Sequence, residues 1–545
     1  MVNDVAIELL EDQRILHFAK DQFMQQLKAA EAGEAARSVN IFERVVIGTF
    51  THLQSSAPEL ASFLGSKINT AKFSDEFVLH VDEKTLYIIG VTPRAALYAV
   101  YHYFEIQYGM HWIYPGQPPT FLEQKEKLTL QTPLHVAPLV ERRGLVIETI
   151  DDLPFIEALI DWLAKHKINE LFFTFTLWDK IGSAIQEMIL DRGIDLTLGG
   201  HSTSFFLKQL QSIPAADHPY TAKQQLDYSD LSWQDELCDH ITLNCHKVGN
   251  LKRISLWPED IKHQSSSHFL TTYIGFTERL QQKLHRRGLS LEVEHIAYNA
   301  GLAWDMLERQ GQAISSKVNT LFAYWGRDYS KRLDQSINAS DKTAYTALID
   351  WQEQTNYHST KLTIFEYYSD HFMLSPLFPM LAHRIAEDIK FYVSLGVHGI
   401  TNLIVPSHVE RYSYQWNQNF NCYVFARSLW NHSLDDTINL FIQYFPSEIR
   451  STVRALLLKL EQEIAILTRW NVPFFPARAV DPLKTLSVSI EDSKEVVEQL
   501  DRIIKLVQTY LNKEELKSSL QLNETLLHYE RYAESVKEQW LSLSN

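Results

Sequence analysis

The sequence predicts an α/β protein, a (β/α)8 TIM barrel preceded by a small α/β domain and followed by a helical C-terminal domain. Three observations carry this. Between Arg142 and about Phe445, short strand-like runs alternate with amphipathic helical runs, the pattern of parallel βα architectures. Upstream lies a stretch that mixes strand, hairpin and helix patterns, and beyond Tyr444 only helical patterns occur. The 545 residues, 45% of them hydrophobic, suffice for more than one core. The divisions fall at 1–140, 141–440 and 441–545.

In the first division, Ile7–Ala32 has helical spacing and Val45–Thr51 reads as a strand. Glu76–Asp82 and Thr85–Gly90 read as a hairpin about a polar turn. Thr92 is placed to cap a helix with Pro93 in its first turn, burying Ala96, Val100, Tyr103 and Phe104 and ending at Gly109. A short strand follows at His111–Tyr114, stopped by Pro115-Gly116. The run Gly90, Thr92, Arg94, Leu97, Tyr98, Tyr101, Glu105, Gly109, Trp112, Pro115, Gly116 resembles the domain that precedes the barrel in family 20 β-hexosaminidases, family 67 α-glucuronidases and related glycosidases. That resemblance implies an accessory domain and no particular substrate.

Eight strands are expected in the second division: Arg143–Ile150, Ile168–Phe175, Asp195–Gly199, Arg253–Trp257, Ser290–Ile296, Thr320–Trp325, Leu362–Tyr367 and Gly399–Val405. Amphipathic runs such as Phe155–His166, Lys180–Arg192, Phe269–Arg287, Ala344–Gln354 and Met380–Leu395 lie between them, and right-handed crossovers would close the set into a barrel. The stretch Ser202–Leu251 is too long for a plain loop and is expected to fold over the mouth as loop plus helix. In the third division, Ser447–Leu467, Ser493–Leu511 and Glu514–Leu541 are helical.

Composition excludes several classes. A net charge of −16 with no Lys/Arg-rich block argues against nucleic acid as a partner. Cys238, Cys245 and Cys422 are too few and too scattered for a disulfide framework or a four-ligand zinc site, and Cys245-His246 alone is weak evidence for metal. No run approaches the length of a membrane span, and the first residues lack the features of a secretory signal, so a cytoplasmic location is expected. Twelve Trp and 24 Tyr suit a ligand with flat apolar faces, sugars among them, although large cores also consume aromatics. Homo-oligomerisation stays open.

In such a barrel the carboxyl ends of the strands carry the chemistry. Polar or aromatic residues stand at every one of them, including Glu148 and Asp151, His201, Tyr298, Trp325 and His408, which describes a rim for a hydroxyl-rich ligand. Glycosidic cleavage needs one carboxylic acid to protonate the leaving oxygen and a second group to stabilise or attack the sugar carbon. The ends of strands four and seven supply SLWPED and FEYY, hence Glu259, Asp260 and Glu366. Glu259-Asp260 also suits a helix cap, and Glu366 also suits an ion pair with a neighbouring Arg. Trp257, Trp325 and Tyr368 are candidate stacking walls, and equally candidate core. Asp151 and Asp152 read as hydroxyl contacts or, preferably, as helix caps. The two glycines before His201 are expected to let the backbone approach a ligand.

The barrel segment resembles the domain of unknown function 4838 of glycoside hydrolase family 163, whose members are endo-β-N-acetylglucosaminidases acting on N-glycans. The matching stretches are RRGLVIET, DWLAKHKINELFF, RGIDLTLGGHS, SLWPED, IFEYY and NFNCYVFARSLWN. By position, Asp260 matches that family's strand-four Asp, Glu366 its strand-seven end, and His201 the histidine after the double glycine. The chain departs from the family where IKHQSSSH lacks the cysteines that often follow the strand-four Asp, and in lacking an export signal. The Glu-Asp order also reverses the Asp-Glu pair of family 20.

The resemblance implies a hydrolase of β-linked N-acetylglucosamine-containing oligosaccharides that uses no metal or organic cofactor. Glu366 would be nucleophile or stabiliser and Glu259 or Asp260 the general acid/base. His201, Trp257, His295, Tyr298, Trp325, Arg327, Tyr368, His408 and Asp151 would contact the sugar. The alternatives are an α-glucuronidase-like enzyme, with Arg327 as the rim cation, an exo-β-N-acetylhexosaminidase, and a catalytically silent carbohydrate-binding protein.

Overall fold

Eight parallel strands close into a barrel in chain order: Arg142–Ile147, Glu170–Thr174, Asp195–Gly200, Leu251–Leu256, Glu292–Tyr298, Asn319–Ala323, Leu362–Asp370 and Gly399–Val405. The computed structural model describes residues 5–32, 42–68, 72–122, 129–202, 206, 228–246, 248–258, 269–299, 306–312, 314–374, 376–406, 416–469 and 490–543. All eight strands fall where apolar runs place them, because strands covered on both faces read as nearly continuous apolar segments.

The barrel interior identifies itself by contacts between strands that are not neighbours. Arg142 of the first strand reaches Glu294 of the fifth (Nη1–Oε2 2.6 Å) and also Glu170 of the second. Arg253 of the fourth meets Glu170 at 2.6 Å, and Thr197 of the third donates to the same carboxylate. These side chains sit near the strand starts, so two arginines and two glutamates form a neutral, buried lattice across the floor. The Arg142 and Arg253 guanidinium groups hold the Glu170 carboxyl below its usual range against the opposing effect of burial.

The N-terminal domain is a five-stranded sheet ordered Ala6–Leu9, Arg44–Thr49, Thr85–Gly90, Phe77–Asp82, Leu134–Val136, with parallel pairing among the first three and antiparallel pairing thereafter. Residues 6–9 form an edge strand rather than the first turns of the helix, which begins at Arg14. The helix Pro93–Tyr108 opens with the Thr92 hydroxyl accepting from Ala95 N and ends at Gly109 (φ 60°). The domain docks beneath the floor. Buried Asp75 accepts from Arg94 (2.8 Å), from Asn169 (2.8 Å) and from Arg143, and Tyr98 donates to the Ile168 carbonyl at 2.9 Å.

At the other end of the chain, helices Arg450–Ile464, Ile490–Leu511 and Leu520–Leu543 buttress the segments that follow strands six to eight. Tyr329 N donates to Thr468 Oγ1 (2.8 Å), Tyr529 Oη to the Phe378 carbonyl (2.7 Å) and Trp416 Nε1 to Thr525 Oγ1 (2.9 Å). The helix within the long insertion, Ser232–Cys245, does not cover the mouth. It lies in the outer layer against Phe269–Arg286, through Trp233 on Phe276 and Arg279 on Gln234.

Candidate functional site

Pleat alternation, anchored on the floor residues, assigns each strand's inner face. On the seventh strand Thr363 touches Arg142 and Phe365 packs on Trp257 of the fourth, so both point inward. Glu366, one residue on, points outward. Its Oε1 accepts from Arg327 Nη1 (2.9 Å) and from Tyr392, and its Oε2 accepts from Tyr329 at 2.8 Å. Arg327 also bonds Asp388 (2.8 Å), to which Tyr368 donates at 3.1 Å. Burial lifts the Glu366 pKa while Arg327 opposes it, and burial holds the three tyrosines protonated as donors.

This corrects three expectations. Glu366, Arg327 and Tyr368 belong to a buried ionic cluster between strand seven and the helix Ala382–Ser394, not to the mouth. His295 also faces outward, buried against Trp351 with Nε2 at 3.2 Å from Thr320 Oγ1. Asp151 is exposed and 3.5 Å from Lys180, and Asp152 caps Leu153–Lys165 by accepting from Phe155 N at 3.3 Å.

The mouth is built from other side chains. An aromatic layer of Phe172, Trp257 and Phe365 closes the top of the barrel's packed interior, with Trp257 Nε1 donating to Ser255 Oγ at 2.9 Å. Above it His201 stands edge-on to Trp257 (centroids 5.3 Å) and 6.4 Å from Tyr298. His201 Nδ1 lies 2.7 Å from the Pro258 carbonyl. A carbonyl can only accept, so Nδ1 carries a proton and the contact fixes the orientation of the ring. Tyr367 continues the inner face beyond Phe365 (4.9 Å). Glu148 completes the arc, with Oε1 3.4 Å from where a Cβ on Gly200 would stand. Trp325 is half-buried at the end of strand six, its backbone clasped by Asn299 through two bonds of 2.7 and 2.8 Å.

Glu259, Asp260 and His408 lie outside the described residues. Of the expected site residues, the structure therefore brings together His201, Trp257 and Tyr298 at the mouth. The sequence alone favours Tyr368 over Tyr367 and places Glu148 at its strand end without a role. Counting alternate residues from an inward Thr363 or Arg142 finds both. Among the described residues no group of three His, Cys, Asp or Glu is arranged to hold a metal ion.

The arrangement combines a carboxylate, a histidine with an oriented ring and a ring of aromatic edges at the carboxyl ends of a parallel barrel. It can stack a flat polar ligand and exchange hydrogen bonds with hydroxyl groups. Solved structures share the fold. A GH138 enzyme targeting pectin rhamnogalacturonan II superposes with a TM-score of 0.59 at 12% identity, covering 97% of this chain and 69% of that one. BtGH115A, a 4-O-methyl-α-glucuronidase with specificity for decorated arabinogalactans, gives 0.58 at 12% identity over 98% of this chain and 71% of that one. CpGH84B gives 0.53 at 9% identity over 100% and 89%. No family model and no curated protein sequence matches the chain. The chain shares the fold of these glycoside hydrolase structures.

Proposed function

We propose that this protein is a glycoside hydrolase acting on β-linked N-acetylglucosamine-containing oligosaccharides. The observation that carries the hydrolase reading is the mouth, where Glu148, His201, Trp257, Tyr298 and Tyr367 converge on the carboxyl face of a barrel of glycosidase architecture. The sugar class rests on the sequence resemblance around LGGHS and SLWPED. Glu259 or Asp260, directly after the Pro258 whose carbonyl His201 holds, is the acid that protonates the leaving oxygen. Glu148 replaces Glu366 as the second carboxylate, since both oxygens of Glu366 are occupied on the far side of the strand. Burial of Arg327 removes the cation that a uronic-acid reading required.

A panel of aryl N-acetylglucosaminides, aryl glucuronides and N-acetylglucosamine oligomers tests this. We expect turnover of the N-acetylglucosaminides or oligomers. Glu259→Gln or Asp260→Asn should lower kcat by about 10²–10⁴-fold, the usual worth of a general acid, and Glu148→Gln should lower kcat more than it raises KM. Binding of the sugars without hydrolysis would instead mark a silent carbohydrate-binding protein.

A further inference from the structure

Strand seven does not run evenly against strand eight. Glu366 pairs with Asn402 but Ser369 with Ile404, so three steps on one strand match two on the other. One residue is extra, and such a bulge exchanges the faces of everything beyond it. Strand eight gives the reference for direction. Gly399, Thr401 and Leu403 pair with Arg142, Gly144 and Val146 of strand one. Arg142 points inward to Glu294, and a Cβ on Gly144 would lie 2.8 Å from Thr401 Cγ2 and 2.7 Å from Glu170 Oε2. Thr401 thus faces the interior, and by alternation so does Val405. Asp370 pairs with Val405 and shares its face. Without the extra residue it would follow Glu366 and Tyr368 outward.

Dedicated donors hold this irregularity. Asn421 Nδ2 donates to the Tyr368 carbonyl (2.7 Å), and Gln418 Nε2 donates to the carbonyls of Ser369 (3.0 Å) and Val405 (2.6 Å). Both amides come from the helix Trp416–Ser428 and are fully buried. Asp370 is itself buried, as are Trp257 and Tyr367 of the same mouth. Its Oδ1 accepts from Phe372 N (2.8 Å) and Met373 N (3.1 Å), which fixes the carboxylate while capping the turn that follows. Strands three and seven face each other across the barrel. Glu148 leans towards Gly200 of strand three, so Asp370 supplies a carboxylate on the opposite side of the opening.

We propose that Asp370 is a substrate-binding residue of this mouth, a carboxylate that accepts hydroxyl hydrogen bonds from the sugar on the side opposite Glu148. The proposal rests on the hydrolase reading above and adds a contact to it.

A cap needs an oxygen and not a charge, since Asn and Ser serve there as well as Asp. Asp370→Asn and Asp370→Ser should therefore melt within about 1 °C of the parent. On the N-acetylglucosaminide or oligomer that the parent turns over, kcat/KM should fall about 10–100-fold, the usual worth of a hydrogen bond to a charged group. If the parent binds these sugars without cleaving them, Kd should rise by the same factor. Unchanged sugar handling in both variants would overturn the proposal and leave the hydrolase reading standing. A loss matched by a fall in Tm, or failure of both variants to fold, would make the carboxylate structural and overturn it too. A parent that neither cleaves nor binds any of the sugars would sink the hydrolase reading, and this proposal with it.

Discussion

Glu366 shows how one residue's direction changes its meaning. Its carboxylate takes three donors from Arg327, Tyr329 and Tyr392 while almost fully buried. Replacing it by Gln leaves donors without a charged acceptor, at a cost of about 1–3 kcal/mol. Glu366→Gln is therefore expected to lower the urea midpoint while leaving kcat per folded molecule nearly unchanged. An unaltered midpoint with abolished turnover would return Glu366 to the mechanism. Its position at the end of a strand was legible in KLTIFEYYSD, but its face was not. That depends on Arg142 meeting Thr363 across the barrel, a contact between residues 221 apart in sequence. Once that inward residue is known, Phe365 and Tyr367 follow inward, and Ile364 and Glu366 outward. The same count separates Glu294, inward, from His295, outward.

At the scale of elements, strand positions and the capped helix Pro93–Tyr108 were readable because period, caps and turn residues all agreed. The helix of the insertion was misplaced because an amphipathic helix advertises an apolar face without naming its partner. The glycines before His201 also changed meaning. A Cβ on Gly199 would lie 1.8 Å from the Ser255 carbonyl oxygen of the adjoining strand, and Gly200 takes φ 69°. Gly199 is thus required by strand-to-strand approach rather than by a ligand. Gly199→Ala should part strands three and four, costing about 3 kcal/mol or more and removing His201 from the mouth. Soluble yield and a melting curve check this, and a variant that melts like the parent would show that the strands can separate cheaply.

For the whole molecule, buried neutral histidines set the acid limit. Burial pushes His295 down to about 3, as it does His166, and His111 to about 4. An unfolded chain protonates each near pH 6.5, so between that pH and the folded values the unfolded state binds more protons. Stability from these groups is complete above 6.5 and is lost as the pH falls, by up to about 1.4 kcal/mol per residue per pH unit. Tm should decline steadily from pH 6.5 to 4, and a flat profile would mean that these rings titrate normally. The fold class was the most legible feature at this scale, whereas the lattice of Arg142, Glu170, Arg253 and Glu294 was hidden as single charges at the starts of four separate apolar runs. That lattice has a further consequence. With its charges locked across the strand starts and a second domain docked beneath, there is no passage along the barrel axis. Anything that enters must leave through the same opening, so a polymer could be gripped from the side or by its tip but never threaded.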